Sequence, residues 1–70
     1  MNVGNAIYFR NLTKKILCTM LELNDEQATL QYLTTLTTEC NPDYIILIEG
    51  VVKEVCPHLL NKWQQLMLLS

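Results

Sequence analysis

The chain has 70 residues, of which half are hydrophobic and 17% are charged, and its net charge is −2. This length excludes more than one domain over residues 1–70, and a domain of this size buries only about 60% of its unfolded surface. Typical soluble proteins are about 25% charged, so little polar surface is left here to coat a monomer. The five basic residues form no strong cluster, which argues against nucleic acid as the main partner.

The first predicted element is an amphipathic helix at about residues 5–23. Asn5 is suited to cap it, because its side-chain oxygen can accept hydrogen bonds from free backbone N–H groups. Its apolar stripe has the spacing of three and four that is typical of an α-helix, and comprises Phe9, Leu12, Ile16, Met20 and Leu23.

Cys18 lies on the polar side of this predicted helix. Lys14 and Lys15 precede it by four and three residues, so their ammonium groups favour a thiolate there. Cys18 is therefore a candidate reactive thiol, and the alternative is an ordinary surface cysteine.

The second predicted helix covers about residues 25–39. Asn24 is expected to be its N-cap, with Gln27 three residues later in a variant of the capping box. The threonines of this segment favour strands, but Leu33 and Leu36 fit a period of 3.6 better than one of 2. Because of this period, we predict a helix.

The third predicted helix is the longest, at about residues 42–69, with Asn41 as its cap and Pro42 in its first position. It contains Pro57, which removes a backbone hydrogen bond and clashes with the preceding turn, so we expect it to kink or split there. Its apolar stripe continues on both sides of Pro57 and comprises Ile45, Ile48, Val52, Val55, Leu59, Trp63 and Leu66. The prediction is an all-α protein of three helices.

The size of the bend at Pro57 determines whether the predicted fold needs a second chain. If the bend is slight, the end of the long helix overhangs the shorter helices and needs another chain to cover it. If the chain folds back at Pro57, four short helices can close a compact monomer.

Apolar residues of the last segment form the predicted partner interface. Trp and Met are enriched at protein contacts, although a place in the core explains Trp63 equally well. Ile46 and Leu68 fall on the polar side of the stripe, where a monomer exposes them. The predicted interface comprises Ile46, Leu59, Leu60, Trp63, Leu66, Met67 and Leu68.

These patterns favour a non-enzymatic protein–protein interaction module, a small regulator, adaptor or inhibitor that forms a homodimer or docks on a larger protein. Enzyme activity is not expected, because the chain has a single His, no glycine-flanked nucleophile and no phosphate-binding loop. No cofactor is predicted.

Two alternative functions remain open. The first is a metal- or haem-responsive sensor that uses Cys56 and His58, since thiolate and imidazole suit zinc and a Cys-Pro pair resembles a haem-regulatory motif. Against it, the cysteines lack the paired spacing of zinc sites, and a Cys-x-His step on a helix points its side chains apart. The second is a helical DNA-binding regulator with Arg10, Lys14 and Lys15 as phosphate contacts.

The sequence predicts a cytoplasmic protein without a membrane span. The longest strongly apolar run covers residues 44–48, whereas a spanning helix needs roughly twenty residues. The first residues lack a secretory signal pattern, because the basic residues follow the apolar ones. Three irregularly spaced cysteines are also a poor disulfide framework, which favours a reducing compartment.

Overall fold

The computed structural model describes residues 3–69, and four α-helices account for nearly all of them. The all-helical class is confirmed, but the prediction of three helices is wrong, because the segment over residues 42–69 forms two helices. The helices are α1 (Val3–Glu22), α2 (Glu26–Glu39), α3 (Pro42–Val55) and α4 (Pro57–Leu69).

Cys56 is the residue at which the predicted long helix breaks. Its N–H still donates to the carbonyl of Val52 at 2.8 Å, which completes the last turn of α3. Pro57 has no N–H to continue this ladder, and its ring disfavours helical angles at the residue before it. Cys56 accordingly has φ −146° and ψ 68°. α4 then begins with Pro57, and the Leu59 N–H donates to the Cys56 carbonyl at 2.9 Å.

The cap of α2 is displaced by one residue from its predicted position. The side chain of Asp25 accepts a hydrogen bond from the Ala28 N–H at 2.9 Å, so Asp25 is the N-cap. Asn24 instead has φ 56° in the turn between α1 and α2, a left-handed conformation that asparagine tolerates better than most residues. The prediction of Asn24 as the cap is therefore wrong.

Of the caps predicted for α1 and α3, one is wrong and the other is confirmed. α1 begins at Val3, so Asn5 lies inside its first turn and the predicted cap there is wrong. Asn41 is confirmed as the cap of α3, since its side chain accepts from the N–H of Asp43 at 3.0 Å. Pro42 follows in the first helical position, where a missing N–H is tolerated.

The core lies between all four helices. α1 packs mainly on α3 and also contacts α2, whereas α4 packs on both α2 and α3. The break at Cys56 makes this possible, because it turns the apolar face of α4 towards the core instead of extending it away. The fully buried hydrophobic residues are Leu17, Leu33, Ile48, Val51, Val52, Cys56, Leu59 and Trp63.

Trp63 brings a polar group into this core, and α2 provides its partner. The indole Nε1–H of Trp63 donates to Thr37 Oγ1 at 3.0 Å, and the Thr37 hydroxyl donates to the Leu33 carbonyl at 2.9 Å. Across residues 3–69, no buried side-chain nitrogen or oxygen lacks a hydrogen-bond partner. The buried polar side chains are therefore satisfied within the chain, and the described core is complete without a partner.

The helices form a flat body. The Cα radius of gyration is 11.5 Å, close to the roughly 11 Å expected for a chain of this length. The Cα extents are 31 × 27 × 17 Å, and the shortest one fits two layers of helices packed roughly 8–10 Å apart. None of the four helices described combines the length and apolar character needed to cross a bilayer.

Candidate functional site

The predicted partner interface is divided by the fold into buried and exposed residues. Leu59 and Trp63 are fully buried, so this fold leaves neither for a partner to contact. Leu60 and Met67 are half-buried and pack against the core. The exposed members of the predicted interface are Ile46, Leu66 and Leu68.

Exposed hydrophobic residues occur at the end of α4 and at the start of α1. At the end of α4, Leu68 and Leu69 are 85% and 84% exposed, and Leu66 is exposed one turn earlier. We call Leu66, Leu68 and Leu69 the α4 terminal patch. Two of its three residues are in the predicted interface, and Leu69 was missed although it directly follows Leu68.

A second group, which sequence analysis missed, occupies the first turns of α1. α1 is the longest of the helices described, with 20 residues, and Val3, Ile7 and Tyr8 are exposed on its first two turns. The spacing of Val3 and Ile7, one helical turn apart, was the available signal.

A groove between α2 and α4 adjoins the α4 terminal patch. It has a volume of about 700 Å³, and Leu66 belongs to both surfaces. Lys62 of α4 forms an ion pair with Glu26 of α2 beside it. The lining of this α2–α4 groove is Glu26, Gln27, Leu30, Gln31, Thr34 and Leu66.

A further surface is a cleft of about 390 Å³, where the start of α1 meets the junction of α2 and α3. The rings of Phe9 and Tyr44 are in edge-to-face contact, with centroids 4.7 Å apart and planes at 71°. Tyr8 adds a third ring, which is 70% exposed. The lining of this aromatic cleft is Asn5, Tyr8, Phe9, Glu39, Cys40, Asn41 and Tyr44.

Glu39 supplies the negative charge of the aromatic cleft. It is the exposed last residue of α2, and the carbonyl dipoles of a helix C-terminus already make this region negative. The last turn of α2 has no basic residue, and none of the ion pairs within residues 3–69 includes Glu39. The cleft therefore combines three aromatic rings with an unpaired carboxylate.

The basic residues of α1 bind a carboxylate on α3. Arg10 Nη2 lies 2.5 Å from Glu54 Oε2, and Lys14 Nζ lies 2.8 Å from Glu54 Oε1. The hydrogen bond from Lys14 lowers the pKa of Glu54, and the charges of Lys14 and Arg10 lower it further. Two of the three cations considered for phosphate contacts are therefore paired within the chain, and Lys15 is exposed.

Cys18, Cys40 and Cys56 are free thiols. Burial raises the pKa of the Cys56 thiol, and nearby Cys18 raises it further. Cys18 itself is half-buried. The ammonium group of Lys14, which the sequence suggested as an activator of Cys18, is bound to Glu54 instead.

Cys56 and His58 have different surroundings. Cys56 is fully buried at the break between α3 and α4, whereas His58 is exposed on the first turn of α4. Nowhere in residues 3–69 do three His, Cys, Asp or Glu side chains come together in a group that could hold a metal ion.

No family model matches the chain, and no curated protein or solved structure is significantly similar to it. The surfaces described above are therefore the basis for inferring its function.

Proposed function

We propose that this protein is a non-enzymatic protein–protein interaction module, a small regulator, adaptor or inhibitor that associates first with a second copy of itself. The observation that supports this most directly is the α4 terminal patch. The core is closed without it, yet three leucines remain exposed on the last turns of α4. Single exposed apolar residues are ordinary in monomers, whereas three leucines within residues 66–69, one of them lining a groove, favour an interface.

The α2–α4 groove has the composition expected of a docking site for a helix. Leu30 and Leu66 supply its apolar part, and the glutamine and threonine side chains of α2 supply a polar rim. An amphipathic helix binds such a groove with its apolar face. In a two-fold dimer, the α4 terminal patch of each chain packs into the groove of the other.

The size of the molecule is compatible with such a dimer. A standard interface buries about 800 Å² on each partner. The chain exposes 4808 Å², so an interface of that size covers roughly a sixth of its surface. The proposal includes an intracellular location, which the three free thiols support because disulfides are rare in reducing compartments.

Light scattering over a series of concentrations tests the dimer. We expect the wild-type mass to approach twice that of the chain, and Leu68→Glu to weaken association at least about tenfold, since it removes a leucine that the dimer would bury and adds a charge. Leu23→Glu is the matched control, because Leu23 is 74% exposed at the α1–α2 turn, outside the patch and the groove. It should associate like the wild type.

A wild-type chain that stays monomeric at high concentration and binds no hydrophobic dye would overturn the proposal. Substitutions of Leu59 or Trp63 are unsuitable for this test. Both residues are in the core, so truncating either destabilises the monomer whether or not a dimer forms.

A further inference from the structure

The aromatic cleft is separate from the surface proposed for dimerisation, since it shares no lining residue with the α2–α4 groove or the α4 terminal patch. We propose that it binds the side chain of a lysine or arginine from a partner protein. This inference rests on the proposed function only in that the ligand belongs to a protein.

The rings of the cleft can attract a cation. The faces of aromatic rings carry partial negative charge, and an ammonium or guanidinium group within about 6 Å of a ring centre is stabilised by it. Phe9 and Tyr44 are in edge-to-face contact, so no cation fits between them, and each ring acts through the part of its surface that lines the cleft. Tyr8 adds a face that is accessible from solvent.

The charges around the cleft favour the same ligand. Glu39 has no ion-pair partner in the described chain, and the C-terminal dipole of α2 reinforces its charge. The N-terminus of α3 is also at the cleft, and its positive dipole is offset by the Asn41 cap and by Asp43 in the first turn. Arg10 is bound to Glu54, so this nearby cation is already paired. The net charge of −2 also favours a basic partner.

The size and openness of the cleft favour a side chain over a whole cofactor. Its volume of about 390 Å³ is near the lower end of ligand sites, which range from about 300 to 1,000 Å³. Tyr8 is largely exposed, so the cleft does not enclose its occupant. A flexible basic side chain with its charge between rings and carboxylate fits this shape.

An NMR titration with blocked amino acids tests the ligand class. N-acetyl-arginine amide and N-acetyl-lysine amide should cause saturable shifts of the signals from Tyr8, Phe9 and Tyr44. N-acetyl-citrulline amide has nearly the shape of the arginine derivative without its charge, and it should bind at least about fivefold more weakly. Equal binding of the citrulline derivative, or no saturable shift with either cation, would overturn the proposal.

Two substitutions test the assigned residues. Glu39→Gln and Tyr8→Leu should each weaken binding of the arginine derivative about threefold, because each removes one source of attraction at an exposed position. Glu22→Gln is the matched control, since Glu22 is the exposed last residue of α1 as Glu39 is of α2. It should leave binding unchanged, and a threefold loss in this control would count against the assignment.

A titration with choline tests whether the ligand is a small cation instead of a protein side chain. If choline saturates the cleft at a lower concentration than either amide, the cleft binds a small molecule and the inference is wrong. The titration does not depend on dimerisation, because each probe is a single amino acid. A monomeric chain that binds the arginine derivative would refute the proposed dimer and leave the cleft assignment intact.

Discussion

Gly50 occupies the middle of α3, where a glycine is less favourable than an alanine by about 1 kcal/mol. It is exposed, its φ is not positive, and a Cβ there would meet no described atom within 4 Å. Gly50→Ala should therefore raise the free energy of unfolding by about 0.5–1 kcal/mol, as measured by urea denaturation. A loss of stability would contradict this and indicate that Gly50 packs against a neighbour.

The hydrogen bond between Trp63 and Thr37 is the second feature at the scale of single residues. Thr37→Val keeps the shape of the side chain but leaves the buried indole N–H without its acceptor, so unfolding should become easier by about 1–3 kcal/mol. Urea denaturation followed by the fluorescence of Trp63, the single tryptophan, measures this change.

Thr35→Val is the control for this substitution. Thr35 is exposed on the same helix outside the α2–α4 groove, and its hydroxyl donates only to the Gln31 carbonyl. Its loss should change the free energy of unfolding by no more than about 0.5 kcal/mol. Equal effects of the two substitutions would show that the indole gains nothing from Thr37.

Among the elements, α2 shows how threonines fit a helix. The hydroxyls of Thr34, Thr35, Thr37 and Thr38 all donate to backbone carbonyls three or four residues earlier. Each side chain is thereby satisfied within its own helix, in the manner open to threonine but not to valine or isoleucine. Burial of Thr29 and Leu33 then holds the helix in place, and the strand preference of the segment is overridden.

Both Pro57 and the core favour the break between α3 and α4, and we expect the core to contribute more. A straight helix through residue 57 would regain a few backbone hydrogen bonds but withdraw Leu59 and Trp63 from the core, a larger loss. Pro57→Ala should therefore keep the break and lower the free energy of unfolding by about 0.5–1 kcal/mol, because the unfolded chain gains freedom. Circular dichroism should show unchanged helicity. Increased helicity together with a larger mass would mean that Pro57 itself maintains the break.

For the molecule as a whole, the clamp of Arg10 and Lys14 on Glu54 joins α1 to α3 and predicts loss of stability in acid. The pKa of Glu54 is lowered from its ordinary value of 4.5 in the folded state. Stability from this group is therefore fully present above about pH 4.5 and is lost as pH falls through the lowered pKa. Melting temperatures measured from pH 7 to pH 3 should show this loss.

Glu54→Gln should reduce that dependence on acid, whereas Glu22→Gln should not. Glu22 is also exposed, and it makes none of the ion pairs within the described residues. If the two variants lose stability in acid to the same extent, the clamp does not account for the effect.

Helix positions were largely predictable from the sequence, because the period of three and four, the Asn41 cap and Pro42 are local signals. The number of helices was not predictable. The apolar stripe keeps the same period on both sides of Pro57, and only burial of Leu59 and Trp63 against α2 and α3 decides that the chain folds back.

The candidate sites were harder to predict, for a related reason. The aromatic cleft unites residues from three separate segments, and Phe9 meets Tyr44 across 35 positions of sequence. The clamp on Glu54 likewise spans 44 positions to Arg10. No periodicity along one helix reveals such pairs. Of the surfaces described, only the α4 terminal patch was partly predicted, since Leu66 and Leu68 belong to one local segment.

The contribution of α4 to the core affects what a shortened chain can do. Without the residues after Cys56, Leu33 and Ile48 lose the packing that Leu59 and Trp63 supply. Such a chain exposes apolar surface and is consequently a target for chaperones and proteases. It is not a smaller version of the same protein.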